Sequence, residues 1–310
     1  MGSAGVGLLV CLMTLERAGA VIVGGTLGTG NNNTDEAGLQ GYLSSASYPS
    51  FDYYGNLVRV SDASGVYLGY NPETMTGWVL SAAHITPAPA DITVGGTTYT
   101  VTGPGVQIGG TDLILYEIGG PGDPPMPTLP TVPLATVAAT SGEFLVMAGR
   151  GGTSSSTYPY PWQGPGFSEA APQRWGTNRV EFNAMVGGNP YIVTDFDEAA
   201  SPEATAYEGQ AALGDSGGGL FILRDGMWVL AGIAHFVDDG NGFLTAPSEG
   251  TNPTEYGDFS AYSDIAANVA AIQAITGTLV PEPSAVVLSA VAGVGLTWRR
   301  RRPQVAVEEG

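Results

Sequence analysis

Short apolar runs alternate with clusters of Gly, Pro, Asn, Asp and Ser along most of the chain. Residues 55–70, GNLVRVSDASGVYLGY, predict a hairpin, with two strand-like runs around a polar turn. Further strands are predicted at WVLSAAH (78–84), ITVGGTTYTV (92–101), DLILYEI (112–118), GEFLVMAG (142–149), RVEFNAMV (179–186), GLFIL (219–223) and MWVLAGIAHF (227–236), each bounded by turn residues. One stretch has helical spacing instead. Over 261–277, Ile265, Val269, Ile272 and Ile275 recur on one face, with Ser263 placed to cap and Gly277 to terminate. QRWGTNRV (173–180) predicts a loop, and the Gly/Asn-rich segment before residue 40 predicts a mobile one. Residues 119–133 hold six prolines and no strand pattern, so they predict the connection between two β halves.

The two ends have other patterns. Residues 5–15 form an apolar run of 11 residues, against the ~20 needed to span a bilayer. Ala18 and Ala20 follow in an A-x-A arrangement, which predicts a signal peptide over 1–20, cut after Ala20. Near the other end, Val-Pro-Glu-Pro precedes 15 uncharged residues (284–298) and then Arg299–Arg302. As a helix that run would reach only ~22 Å into a ~30 Å core. The arginines would hold its end on the cytoplasmic side. The three parts in this order resemble a PEP-CTERM sorting signal over 279–304. The resemblance implies delivery to the cell envelope, membrane contact through 284–298 before processing, and an exosortase-type processing enzyme as partner. A plain weak anchor is the alternative.

Charge narrows the partners. The formal net charge is −19, and there is no lysine. Between residues 21 and 280 five arginines face 25 acids, which are the 29 of the whole chain less Glu16, Glu282, Glu308 and Glu309. Such a body repels nucleic acid. Cys11, the one cysteine, falls in the predicted signal peptide, so the mature chain has no disulfide. No cofactor and no metal site is expected.

The chemistry starts from GDSGGG (214–219) and from a scarcity of histidine, since only His84 and His235 occur. A serine nucleophile needs a base, because its hydroxyl is protonated at neutral pH. The base needs an acceptor on its far nitrogen to fix its tautomer. His84 ends an apolar strand, Asp112 heads another, and Ser216 lies in the glycine loop. Gly214 lets a substrate approach, and the Gly214 and Ser216 amides can converge on an oxyanion.

The order His84, Asp112, Ser216, carried by LSAAH, DLILYEI and GDSGGGL, resembles the trypsin/chymotrypsin-like serine proteases over about residues 40–275. The resemblance implies an all-β protease domain over 21–275. Two antiparallel β-barrels, at about 40–118 and 134–276, would flank the 119–133 linker, with a closing α-helix and the short C-terminal anchor helix. It makes His84 the general base, Asp112 its orienting partner and Ser216 the nucleophile. Gln210, His235 and Phe236 would line the substrate pocket. Gln210 stands where the trypsin branch has an aspartate, so the pocket is expected to be neutral, with Glu208 turned away. His235 stands where the family has a serine that supports the catalytic aspartate. It either makes that contact or is merely a strand residue. Asp215 is buried in the family and needs a cation, from the Ile22 amine exposed by cleavage within VIVGGT (21–26) or from Arg150. The implied function is an exported serine endopeptidase of the envelope, acting on peptide or protein substrates. The alternative is a catalytically idle surface protein on the same scaffold.

Overall fold

The computed structural model describes residues 21–27, 33–151, 160–161, 172–212, 214–237, 253–254 and 256–279. The first half runs β1 (Ile22–Val23), α1 (Glu36–Ser45), β2 (Leu57–Val60), β3 (Ala63–Asn71), β4 (Thr76–Ala82), β5 (Asp91–Val94), β6 (Thr97–Thr100), β7 (Val106–Gln107) and β8 (Leu113–Ile118). The second runs β9 (Phe144–Gly149), β10 (Tyr160–Pro161), β11 (Arg174–Arg179), β12 (Phe182–Val186), β13 (Asn189–Asp195), β14 (Gly209–Gln210), β15 (Gly219–Arg224), β16 (Met227–Val237), β17 (Pro253–Thr254), β18 (Phe259–Asp264) and α2 (Val269–Thr276).

Two antiparallel sheets carry the body. One has the order β2-β3-β4-β8-β7, the other β11-β9-β15-β16-β18-β13-β12. The period-2 alternation of strand side chains explains why both faces of each sheet are apolar. In the first sheet Val66, Leu68, Leu80 and Leu115 enter a core shared with the second, while Tyr67, Val79, Tyr116 and Ile118 fill a core of their own. In the second, Val146, Phe221, Trp228 and Leu230 meet that shared core, and the alternate residues Leu145, Leu220, Ile222 and Val229 line another. The shared core clamps the sheets face to face, so a site at their junction is held from both sides.

The expected all-β body in two halves is present. The hydrogen-bonded ladders are open rather than closed into barrels. The proline-rich stretch 119–133 contains no strand, as predicted, yet it is not a free tether. Met126 and Val132 are buried, and the Val132 amide donates to the Leu68 carbonyl at 2.9 Å.

Local signals misled at four places. The predicted helix over 261–277 starts only at Val269, because 259–264 pairs between β16 and β13 as β18. Ser263 is a sheet residue, Asn268 takes the N-cap, and Gly277, at φ +66°, does terminate the helix. The polar stretch 173–180 is not a loop but holds strand β11. Its Trp175 fills the shared core, and its Asn178 amide donates to the Gly209 carbonyl at 2.9 Å. The strand predicted over 179–186 breaks after Arg179 and resumes at Phe182. Of the Gly/Asn-rich segment before residue 40, residues 28–32 lie outside the described residues, and the rest enters helix α1, capped by Asp35 and anchored by Leu39 and Leu43 in the shared core.

The predicted signal peptide and the sorting signal from residue 280 lie outside the described residues. Among the described residues no helix is long and apolar enough to cross a membrane.

Candidate active site

Four elements converge where the two sheets meet. Strand β4 runs out through Ala83 to His84. The Ala83 amide donates to the Asp112 carbonyl at 3.0 Å, and the His84 amide to Asp112 Oδ1 at 2.9 Å. Asp112 thus sits at the head of β8, locked to the residue it faces. Its other oxygen, Oδ2, lies 2.7 Å from His84 Nδ1. His84 Nε2 lies 2.7 Å from Ser216 Oγ. The side chains are 41% exposed for His84 and 10% for Asp112, so one end of the chain of hydrogen bonds is open to solvent and the other enclosed.

The loop carrying Ser216 leaves little freedom. The Ser216 carbonyl accepts from the Ser64 amide at 2.8 Å, and the Gly217 amide donates to the Ala234 carbonyl at 2.9 Å. The loop is therefore stitched to β3 on one side and β16 on the other. Gly217 has φ +83°, and a Cβ there would lie 2.0 Å from the Ser64 carbonyl oxygen and 2.3 Å from Ser81 Oγ. No other residue fits that position. Gly214 has φ +90°, and its carbonyl accepts from Ser64 Oγ at 3.1 Å. Among the described residues neither the Gly214 amide nor the Ser216 amide donates to a protein group.

Asp215 sits beneath this loop, 2% exposed. Its Oδ2 accepts from the Val21 amide at 3.0 Å and the Ala212 amide at 2.7 Å, and its Oδ1 from the Gly151 amide at 2.8 Å. Burial pushes its pKa up to about 6, against the pull of the three amides and the nearby Arg174. In the chain that still carries residues 1–20, Asp215 hydrogen-bonds neither Ile22 nor Arg150. Ile22 pairs with Gln210 across β1 and β14, and the Arg150 guanidinium donates to Gln173 Oε1 at 3.0 Å. Val21 and Arg174 are the residues that motif reading missed. Val21 is one position from the expected Ile22, and it directly follows the predicted cut at Ala20.

Two residues tied to the expected pocket, Gln210 and Glu208, are ordered by hydrogen bonds. Gln210 is fully buried; its Nε2 donates to the Phe259 carbonyl at 3.2 Å, and its Oε1 accepts from Ser260 Oγ at 2.9 Å. Glu208 is also fully buried. Its Oε2 accepts from the Thr205 amide at 2.6 Å and Thr205 Oγ1 at 2.8 Å, and burial lifts its pKa to about 8. It is thus tied to its own turn and protonated at neutral pH.

His235 occupies an irregular position on β16. The pairing with β18 shifts between Ala234 and Phe236, which leaves His235 as the extra residue of a bulge. Its Nε2 lies 3.5 Å from Asp112 Oδ2, and its ring stacks on His84 at 5.4 Å between centroids. Tyr191 and Phe236 flank the ring at 5.3 and 5.1 Å. Burial pushes the His235 pKa down, the Asp112 charge pushes it up, and His84 adds to the lowering.

No family profile and no curated protein matches the chain. Solved structures with a similar fold include neuropsin, a serine protease expressed in the limbic system of mouse brain, at 14% identity and TM-score 0.47, covering 73% of this chain and 96% of that one. Kallikrein-related peptidase 10, in its complex with Zn2+, is similar at 17% identity and TM-score 0.45, covering 73% and 98%. The inactive form of Rv3671c protease is similar at 16% identity and TM-score 0.44, covering 80% and 98%. These structural neighbours are trypsin-like serine proteases.

Proposed function

We propose that the chain is an exported serine endopeptidase. One observation supports this above all others: Ser216 Oγ, His84 and Asp112 form a continuous chain of two 2.7 Å contacts. In the proposed reaction Ser216 Oγ attacks the scissile carbonyl carbon and gives its proton to His84 Nε2. Asp112 Oδ2 stabilises the resulting imidazolium through Nδ1–H. The carbonyl oxygen, now negative, takes the free Gly214 and Ser216 amides. The imidazolium then protonates the leaving amine, the C–N bond breaks, and an acyl-serine remains. Water repeats the steps and restores the hydroxyl. No cofactor takes part.

Asp215 bears on activation. A fully buried carboxylate is costly to ionise, and the Asp215 pKa stays raised despite three amides and the nearby Arg174. Leader removal after Ala20 would turn the Val21 amide into an ammonium at the same place. The activation partner we assign is therefore Val21 rather than Ile22 or Arg150, and export itself becomes the activating step. Among the described residues Gln210 is neutral and Glu208 is held by Thr205, so in the proposed enzyme small or medium apolar P1 residues are favoured over Arg and Lys. The sorting signal would then hold the enzyme at the envelope through 284–298 until an exosortase-type enzyme removes it. Intact mass of cell-surface protein tests this, since retained Arg299–Arg302 would favour a plain anchor.

Fluorophosphonate labelling decides between enzyme and idle scaffold. The enzyme is labelled at Ser216, and labelling disappears in His84→Ala. An unlabelled, folded chain beginning at Val21 would establish the scaffold instead.

A further inference from the structure

We propose that His84, Asp112 and His235 together form a reversible inhibitory site for one borderline divalent cation of the Zn2+ type. The inhibitory half of this proposal rests on the protease function above; the binding half does not.

The chain has two histidines, and both rings meet the same carboxylate oxygen, at 2.7 Å from His84 Nδ1 and 3.5 Å from His235 Nε2. The hydrolytic steps use only the first. One donor atom from each of the three residues lies within 4.8 Å of the others. A tetrahedral ion with bonds of about 2.0–2.2 Å needs its ligand atoms about 3.3 Å apart. Small side-chain rotations close that gap, because the rings already lie side by side at an interplanar angle of 24°.

The position of His235 results from backbone irregularity. The bulge in β16 takes it out of the alternation that governs Ile233 and Ala234, and carries its ring over Asp112. Tyr191 and Phe236 pack beside it and restrict its rotation. Two imidazoles and one carboxylate suit Zn2+ and its neighbours rather than Ca2+ or Mg2+, which take oxygen ligands. His84 is partly open to solvent, so a water can take the fourth position. Burial lowers the His235 pKa against the pull of Asp112, a shift toward the form that ligates.

Inhibition follows from proton placement. In the working enzyme the proton of neutral His84 is on Nδ1, facing Asp112, and Nε2 is a free lone pair for Ser216. A cation bound at Nδ1 replaces that proton, which moves to Nε2. Ser216 Oγ then faces an N–H and cannot give up its own proton. His235 binds through Nε2 and carries its proton on Nδ1. No electron is transferred and no covalent bond to carbon changes, so a chelator reverses the state.

The test uses the chain beginning at Val21, the form that leader removal would leave, without a histidine tag. Zn2+ is titrated into wild type, Ser216→Ala and His235→Gln, by calorimetry and by competition with a chromogenic chelator. Gln keeps an N–H for Asp112 but is a poor zinc ligand. We expect one Zn2+ bound per chain in wild type and in Ser216→Ala, and binding at least ~10-fold weaker in His235→Gln. Imidazole NMR signals, of which the chain has two sets, should both shift on titration. Hydrolysis by wild type should fall with the same midpoint and recover with chelator, and the midpoint should rise in His235→Gln. Zinc binding that is unchanged in His235→Gln, or that leaves either imidazole unmoved, overturns the site. Binding at the site by a chain that hydrolyses nothing would retain the site and reject the protease function.

Discussion

Asp112 and Asp215 are both carboxylates at the junction of the two sheets, and the structure treats them in opposite ways. Asp112 gives one oxygen to a backbone amide and the other to side-chain rings that can exchange protons. Asp215 gives both oxygens to backbone amides, with the Arg174 charge nearby. In the proposed enzyme the first takes part in the chemistry. The second ties down the loop that carries Ser216, and under the proposed activation its contact with Val21 would depend on where the chain begins. A carboxylate's role at this site is therefore set by whether its acceptors face mobile protons or fixed amides.

The largest effects should fall on the Asp112 side of that comparison. Ser216→Ala and His84→Ala should each lower kcat by about 10⁶, and Asp112→Asn by about 10⁴, because the groups act as a unit. Steady-state kinetics on a peptide substrate measures this, with circular dichroism to show an unchanged fold. An Asp112→Asn enzyme of parental activity would remove the distinction between the two carboxylates.

On the Asp215 side, Asp215→Asn keeps the side-chain shape but replaces one acceptor with an NH₂ facing amide donors. The Ser216 loop should shift, with about 100-fold lower kcat. Fluorophosphonate labelling should slow by the same factor, since the probe meets the same misplaced oxyanion donors.

The sharper test is pH. In the chain that still carries residues 1–20, the folded pKa of Asp215 is raised from 3.8 to about 6. A raised carboxyl pKa means that the folded state holds the proton more tightly than the unfolded one. The associated stability is complete below about pH 4 and is lost as pH rises through about 6, to a total of at most about 3 kcal/mol. A chain beginning at Val21 supplies an ammonium and should show no such loss until the amine itself deprotonates, near or above pH 8. Urea unfolding of both forms from pH 4 to pH 8 compares them, and parallel curves would exclude Val21 as the partner.

The smallest effect on activity should come from a third carboxyl. Glu208 has its pKa lifted to about 8, so it is neutral in the folded chain at pH 7 while the unfolded carboxyl ionises above about pH 4.5. Glu208→Gln should match the parent in stability near pH 4 and exceed it by at most about 3 kcal/mol at pH 7, because only the parent weakens as pH rises through about 8. P1 preference should be unaltered, since Thr205 holds the Glu208 side chain. A P1 preference for Arg or Lys that disappears in Glu208→Gln would place its carboxylate in the pocket.

Much of this was legible in local pattern. Alternating runs marked most strands, and the six prolines of 119–133 marked the crossing between halves. His84, Asp112 and Ser216 could be picked out because each needs a particular neighbour type at a strand end or in a glycine loop, and histidine is scarce. Elements whose pattern was polar or mixed were misread. Strand β11 looked like a loop because its Arg, Gly, Thr and Asn residues are satisfied by partners far away in the chain, such as Thr205 and Gly209. Helix α1 was hidden by its two glycines, and only Leu39 and Leu43 reveal it, through a core built mainly by distant strands.

The sequence by itself determined the β-rich body in two halves, the choice of His84, Asp112 and Ser216 as the three residues proposed for the chemistry, and the neutral character of residue 210. Those follow from side-chain chemistry and from short-range periodicity. Only the tertiary structure decided which backbone nitrogen meets Asp215, and that His235 joins His84 on one carboxylate. Both depend on register: Val21 reaches Asp215 because Ile22 pairs with Gln210, and His235 reaches Asp112 because β16 carries one extra residue against β18. A shift of one residue in either pairing reverses which side chains face the site, and register is set by contacts between strands far apart in the chain.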